Sequence, residues 1–196
     1  MRGVLKKNAG PLLVGLIGLC AAAAFSAEED RWRAGFSAGW RTIKDKTLES
    51  VYGGGWIFTP SLSYRISPGL WVGAEHETGY SKEARIGLFA EESRLAVRGT
   101  HIFLLYGRDK GRIRPFFKIG AGLFAFDMDI ESPYVQANNF SSRDVSILFG
   151  GGLRVMLSRK FSAVAEAKYA ALWADPFDDM VDLGGIRILG GLVFDF

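Results

Sequence analysis

Cysteine is almost absent from the 196-residue chain. The only one is Cys20, in an apolar segment near the N-terminus, and the bulky Leu19 before it departs from the small residue expected at a lipidation site. With a single cysteine, the chain forms no internal disulfide and no thiolate metal cluster. Histidine is nearly as rare: only His76 and His101 are present, which leaves few side chains suited to general base catalysis near neutral pH.

The sequence also lacks an apolar stretch long enough for a transmembrane helix, which needs about 20 residues. Its N-terminal apolar run, residues 11–24, has 14 residues. This run follows three cations among the first seven residues and precedes the small residues of 22–27. The arrangement predicts a cleaved secretory signal peptide at residues 1–27 and a mature domain at residues 28–196.

No excess of charge remains for a nucleic-acid partner. The chain has 24 Lys and Arg against 21 Asp and Glu, but Arg2, Lys6 and Lys7 belong to the predicted signal peptide. Their removal leaves 21 residues of each sign, so the mature chain is formally neutral. Because nucleic-acid binding depends on a basic surface, such binding is not expected.

Alternation with a period of two is abundant, and it is the signature of β-strands with two different faces. It is clearest at the C-terminus. One face of the last predicted strand carries Ile186, Ile188, Gly190, Leu192, Phe194 and Phe196, and the other carries Arg187, Leu189, Gly191, Val193 and Asp195. Seven earlier segments alternate in the same way, so the sequence predicts eight strands.

The predicted connections alternate in length. The long ones are residues 42–54, 80–92, 128–143 and 174–183, and the short ones are residues 67–69, 107–112 and 158–160. All long loops then lie at one end of the molecule, as in outer-membrane barrels, and the apolar faces carry Trp and Tyr near their ends, as lipid-facing strands do. These features favour a barrel with apolar side chains outward over a soluble periplasmic barrel with the same side chains inside.

Three segments resemble the small eight-stranded outer-membrane β-barrels of the OmpA/OmpX type. They are PFFKIGAGLFAF at residues 115–126, FGGGLRVMLSRKFSAVAEAKYA at residues 149–170 and GLVFDF at residues 191–196. The resemblance implies an all-β, eight-stranded antiparallel up-and-down transmembrane β-barrel in the cell outer membrane. It also implies that Leu192, Phe194 and Phe196 form the terminal signal recognised by the barrel-assembly machinery.

The expected partners are those of an outer-membrane barrel. They are the lipids and lipopolysaccharide of the outer membrane, together with the barrel-assembly machinery and periplasmic chaperones during biogenesis. We expect a monomer without a cofactor.

Eight strands enclose a space that side chains fill, which argues against a wide aqueous pore. The inward face of the predicted strands carries charged residues, and buried charges need partners. We expect a lumenal charge network that consists of Glu75, Arg98, Lys118, Arg154, Glu166 and Lys168.

The fourth predicted strand is assigned by the same rule of apolar side chains outward. Its lipid face then holds Leu95, Val97, Phe103 and Leu105, and its lumenal face holds Arg94, Arg98, Thr100 and Tyr106. His101 falls on the lipid face in this assignment, unless a bulge at residues 99–100 turns it inward.

The last long loop gathers four aspartates, Asp175, Asp178, Asp179 and Asp182. Carboxylate oxygens bind Ca²⁺ and Mg²⁺, so the loop is a possible cation-binding loop or a contact to the divalent-bridged lipopolysaccharide layer. The spacing fits no EF-hand. A solvated acidic loop without a metal is therefore the favoured interpretation.

The sequence predicts a non-enzymatic barrel with a structural, envelope-maintaining or surface-interaction role. A narrow channel for ions or small solutes is one alternative. A lipid A hydrolase of the PagL kind is a second, but the stretch KYAALWADPF at residues 168–177 lacks the His-Ser pair of that family.

Overall fold

The computed structural model of the chain describes residues 31–87, 90–131, 139–174 and 181–196. The predicted signal peptide lies outside these residues. The described part contains nine strands: β1 Trp32–Arg41, β2 Gly55–Ser67, β3 Leu70–Ile86, β4 Glu91–Gly107, β5 Ile113–Glu131, β6 Asn139–Met156, β7 Phe161–Ala174, β8 Val181–Asp182 and β9 Gly185–Asp195. One helix, α1 at Lys46–Tyr52, lies between β1 and β2. Among the described residues, no helix is long and apolar enough to cross a membrane.

Eight of these strands form one closed antiparallel barrel. Each of β1 to β7 pairs with its neighbour in sequence, and β9 pairs with both β7 and β1. The two-residue β8 pairs only with the end of β7. At the seam, Trp32 and Phe196 exchange two backbone hydrogen bonds of 2.8 Å. The predicted eight-stranded barrel is confirmed, and closure removes the free edges that a sheet cannot expose to lipid.

The outer surface of the barrel is apolar, and charged side chains lie in its interior. Trp56, Leu123 and Ile188 each expose more than half of their surface, whereas Arg41 and Arg187 expose none. Aromatic pairs lie near both ends of the outer face, with Trp32 against Tyr64 at one end and Trp40 against Trp56 at the other. The predicted facing is correct for β1, β2, β3, β5, β6, β7 and β9.

The predicted facing of β4 is wrong. Leu95, Val97 and Phe103 are buried in the interior, and Arg98 points outward, where it forms an ion pair of 2.6 Å with Asp127. The interior near the loops is itself apolar, so the rule that apolar side chains point to lipid does not distinguish the two faces of this strand.

His101 is buried in the interior without the bulge that was considered for it. The pairing of β4 with β5 runs without interruption from Glu92 to Gly107. The only irregularity in the pairing of β3 with β4 lies in β3, between Glu77 and Tyr80. The whole strand, and not a local defect, therefore places His101 inside.

The two ends of the barrel differ. The turn end carries the connections at residues 68–69, 108–112 and 157–160, and the loop end carries the others. Three predicted long loops are partly strand, because β3 continues to Ile86, β5 continues to Glu131 and β8 forms at Val181–Asp182. The four strands β3 to β6 contain 17 to 19 residues, more than the roughly 9–11 that cross a bilayer, so they project beyond it at the loop end.

Helix α1 was not predicted, although its sequence carries a clear start signal. The Asp45 side chain accepts a 2.9 Å hydrogen bond from the Leu48 backbone N–H, as an N-cap residue does. The helix ends at Gly53, whose φ of 64° suits a residue without a Cβ. These caps hold a two-turn helix over the loop end of the barrel.

Candidate functional site

The interior of the barrel is layered along its axis. The loop-end layer is an apolar plug, a cluster of buried side chains that includes Tyr52, Tyr80, Leu95, Val97, Phe124 and Leu148. Below it lie three groups of charged side chains, which together are called the lumenal ion-pair network here. Within the described residues, the loop end of the interior is therefore filled mainly by apolar side chains.

Hydrogen bonds hold helix α1 against the barrel at both of its ends. Tyr80 Oη donates a 2.9 Å hydrogen bond to the Gly53 carbonyl. At the other end, Lys44 Nζ donates a 2.7 Å hydrogen bond to Asp182, and the Lys44 backbone N–H bonds to Gly184. The bond to Asp182 raises the pKa of Lys44, so this ammonium group stays charged to a higher pH than a free lysine.

The upper group of the network centres on Glu77, just below the plug. Its carboxylate accepts hydrogen bonds from Arg41 at 3.1 Å and from Arg187 at 3.0 Å. The surplus cation is stabilised by backbone carbonyls: Arg41 also donates to Leu183 at 2.8 Å, and Arg187 to Gly185 at 2.7 Å.

The middle group joins two lysines and two glutamates. Lys118 donates to Glu75 at 2.9 Å, and Lys168 donates to the other oxygen of Glu75. Lys118 Nζ also lies 2.7 Å from Glu166 Oε1, an ion pair whose angles do not meet those of a hydrogen bond. A glycine makes room for this group, since a Cβ on Gly150 would lie 2.5 Å from that of Lys168.

The lower group lies nearest the turn end and centres on Asp195. Arg33 donates to Asp195 at 2.8 Å, and Arg154 donates to both of its oxygens at 3.1 and 3.2 Å. The guanidinium of Arg33 also stacks 3.6 Å above the ring of Trp71. Two arginines thus share one carboxylate.

The structure brings four of the six predicted network residues together in the middle group: Glu75, Lys118, Glu166 and Lys168. Arg154 lies in the lower group. The assignment of Arg98 to the lumen is wrong, because its side chain is 56% exposed on the outer face. The sequence-based prediction omitted Glu77 and Asp195 from the network, although the alternation places both residues on the inward face of their strands.

A hydrogen bond between His101 and Ser146 also went unpredicted, because the facing of β4 was inverted. His101 Nε2 and Ser146 Oγ are 2.7 Å apart, both residues are buried, and His101 Nδ1 has no partner within the described residues. A serine and a histidine at this distance resemble a nucleophile and its base. The pair lies inside the lumen, however, and not on the lipid face.

The remaining predicted sites are the terminal assembly signal and the aspartates of the last long loop. Leu192 is exposed on the outer face. The ring centroid of Phe194 lies 4.8 Å from that of Phe161 and 5.7 Å from that of Phe196, whose side chain is buried. Of the four loop aspartates, Asp182 pairs with Lys44. The other three, Asp175, Asp178 and Asp179, lie outside the described residues.

The chain matches known outer-membrane proteins. The family described as "Outer membrane protein beta-barrel domain" matches residues 12–186. Outer membrane protein OprG from Pseudomonas aeruginosa has a TM-score of 0.64 and 14% identity, over 86% of this chain and 97% of that one. Neisserial surface protein A from Neisseria has a TM-score of 0.60 and 12% identity, over 86% and 98%.

A third similar structure is Ail, the attachment invasion locus protein of Yersinia pestis, which was solved with the heparin analogue sucrose octasulfate. Its TM-score is 0.50 with 16% identity, over 84% of this chain and 99% of that one. Identities this low show a common fold alone. No curated protein matches the chain.

Proposed function

Because the chain belongs to the outer membrane protein beta-barrel domain family and resides in the cell outer membrane, we propose that it is a non-conducting, non-enzymatic barrel. Its role in this proposal is structural: it maintains the envelope and carries a loop-end surface for contacts outside the cell. In barrels of this class the short turns face the periplasm and the long loops face outward. The projecting ends of strands β3 to β6 and helix α1 then form the surface that faces outside the cell.

The observation that carries the proposal is the double barrier inside the lumen. A solute that enters from the turn end meets the middle and upper ion-pair groups, in which Glu75 and Glu77 each bind two cations. Separating such pairs away from water is costly. Beyond them lies the apolar plug, where Leu95 and Leu148 are completely buried, and an ion would lose its hydration there.

The proposal assigns no catalytic step to His101 and Ser146. The two side chains lie between the ion-pair network and the apolar plug, and they expose about 1% or less of their surface. A lipid substrate in the surrounding bilayer has no route to them. Their hydrogen bond is better explained as the pairing that a buried hydroxyl and imidazole require.

The test is conductance in planar lipid bilayers. We expect no discrete current steps from the purified, folded protein, because both barriers are closed. The variant Glu75→Ala, which breaks the middle group, is compared with Glu83→Ala, which removes an exposed carboxylate from the same strand.

One result would replace this proposal with the narrow-channel alternative. It is a reproducible step in the unmodified protein whose size changes with Glu75→Ala and stays constant with Glu83→Ala. Steps that appear only in Glu75→Ala support the barrier, because they show that the network closes the lumen.

A further inference from the structure

The turn end of the lumen contains a cavity whose inner end is formed by the middle ion-pair group. Its volume is about 60 Å³, and its lining joins the lower ion-pair group to the turn between β4 and β5. A cavity of this size has room for more than one water molecule. Five cationic side chains line it: Arg33, Arg108, Arg114, Lys118 and Arg154.

Carboxylates in and beside the cavity are too few to balance these cations. Lys118 is neutralised by the middle group, and Asp109 at the mouth accepts a hydrogen bond from the Gly69 backbone N–H. Asp195 is then the one carboxylate of the described residues that binds Arg33 and Arg154, while Arg114 lines the same space. Apart from the middle group, four guanidinium groups therefore face two carboxylates, Asp109 and Asp195, and a surplus of positive charge remains.

The upper group shows how the barrel treats a surplus cation where no ligand can reach it. There the extra positive charge of Arg41 and Arg187 is stabilised by the backbone carbonyls of Leu183 and Gly185. In the lower group Arg33 and Arg154 donate to Asp195. The neighbouring Arg114 donates through Nε at 2.9 Å to the Gly111 carbonyl. The lower group also borders open space, which the fully buried upper group does not.

We propose that the turn-end cavity binds a small soluble oxyanion of the phosphate or sulfate type, with Arg33, Arg114 and Arg154 as its donors. Guanidinium groups bind such anions through paired N–H groups, and their charge strengthens each hydrogen bond. The mouth opens among the turns and not on the lipid face, so the ligand comes from the aqueous phase on the turn side. The site ends below the middle ion-pair group, and it therefore requires no transport through the barrel.

The experiment is a titration with inorganic phosphate at constant ionic strength, with the full mature chain in nanodiscs of zwitterionic lipid. Trp71 lines the cavity and stacks on Arg33, so its indole N–H resonance reports on the site. The variant Trp71→Phe assigns this resonance. We expect a saturable shift, and a second titration in nanodiscs that contain phosphatidylglycerol should give the same affinity if the ligand is a soluble anion.

The matched variants are Arg114→Gln, at the start of β5, and Arg112→Gln, in the turn just before it. Arg114 lines the cavity, whereas Arg112 is exposed outside it. Arg114→Gln should weaken phosphate binding about tenfold, the loss expected for one charge-assisted hydrogen bond, and Arg112→Gln should leave it unchanged. Heat-modifiable gel migration checks that each variant is folded.

The proposal is overturned if no saturable shift occurs, or if both variants weaken binding equally, since the effect is then general electrostatic attraction. It is also overturned if anionic lipid alone shifts Trp71 and phosphate does not. None of these results bears on conductance, so failure here is distinguishable from failure of the proposed barrier.

Discussion

Glu75 shows how a single carboxylate can hold the lumen together. It binds Lys118 and Lys168, and the three side chains expose at most 6% of their surface. They come from β3, β5 and β7, so one residue joins three strands across the barrel. Charges this deeply buried are stable only as a satisfied group, and removal of one member leaves the others without compensation.

We therefore expect Glu75→Gln to be far more damaging than a change of the same kind on the surface. The loss in free energy of unfolding should be about 3–5 kcal/mol, because two buried lysines keep their charge and lose their shared partner. Urea unfolding in lipid vesicles measures it. Glu83→Gln, on the exposed side of the same strand, should cost less than about 1 kcal/mol, and equal losses would contradict the assigned network.

The two faces of strand β4 have similar compositions but different surroundings. Its inner face enters the apolar plug through Leu95 and Val97, and its outer face meets lipid through Ile102 and Leu104. Alternation is present, but both faces carry apolar residues. The pairing with β3 sets His101 beside the inward Glu75, and the odd-numbered residues of β4 therefore point inside, where Leu95 and Val97 join the plug.

The facing of β4 can be measured with single cysteines, because the only cysteine of the chain lies in the predicted signal peptide. Val97→Cys and Arg98→Cys place a thiol at adjacent positions. Val97 is 1% exposed, whereas the side chain of Arg98 is 56% exposed. In detergent micelles, N-ethylmaleimide should modify the thiol at 98 rapidly and the thiol at 97 only after unfolding. Mass spectrometry of the intact chain detects each product, and the reverse order would restore the sequence-based assignment.

At the scale of the whole molecule, β1 and β9 close the barrel along a seam that includes Phe196. Phe196 exchanges two backbone hydrogen bonds with Trp32, next to the side-chain pair of Arg33 with Asp195. Because an open edge is not tolerated in lipid, these contacts at the seam stabilise the whole barrel. The ring of Phe196 has a separate proposed role as an assembly signal, together with Leu192 and Phe194.

Two variants separate these roles. Deletion of Phe196 removes the backbone bonds and the ring, so we expect a smaller folded fraction both in cells and after refolding in detergent. Phe196→Ala keeps the backbone bonds, so it should lower assembly in cells and leave detergent refolding close to normal. The folded fraction is read from heat-modifiable gel migration, with Phe161→Ala as a control at the same rim. Normal assembly of Phe196→Ala in cells would refute the proposed signal.

The sequence by itself determined the class of fold, the number of barrel strands and the facing of seven of them. Consecutive residues of a strand face lipid and lumen in turn, so neighbours such as Arg187 and Ile188 differ in polarity. This alternation with a period of two can be read directly from the sequence. The same alternation placed Glu75, Lys118 and Lys168 on the lumenal faces of their strands.

Only the tertiary structure decided the rest. Lys118 and Lys168 are 43 and 93 residues away from Glu75, and their meeting depends on the pairing of every strand around the barrel. The facing of β4 depends on the apolar plug, which no single strand reveals. The turn-end cavity likewise arises from three arginines on separate strands, because closure brings Arg33, Arg114 and Arg154 to one place.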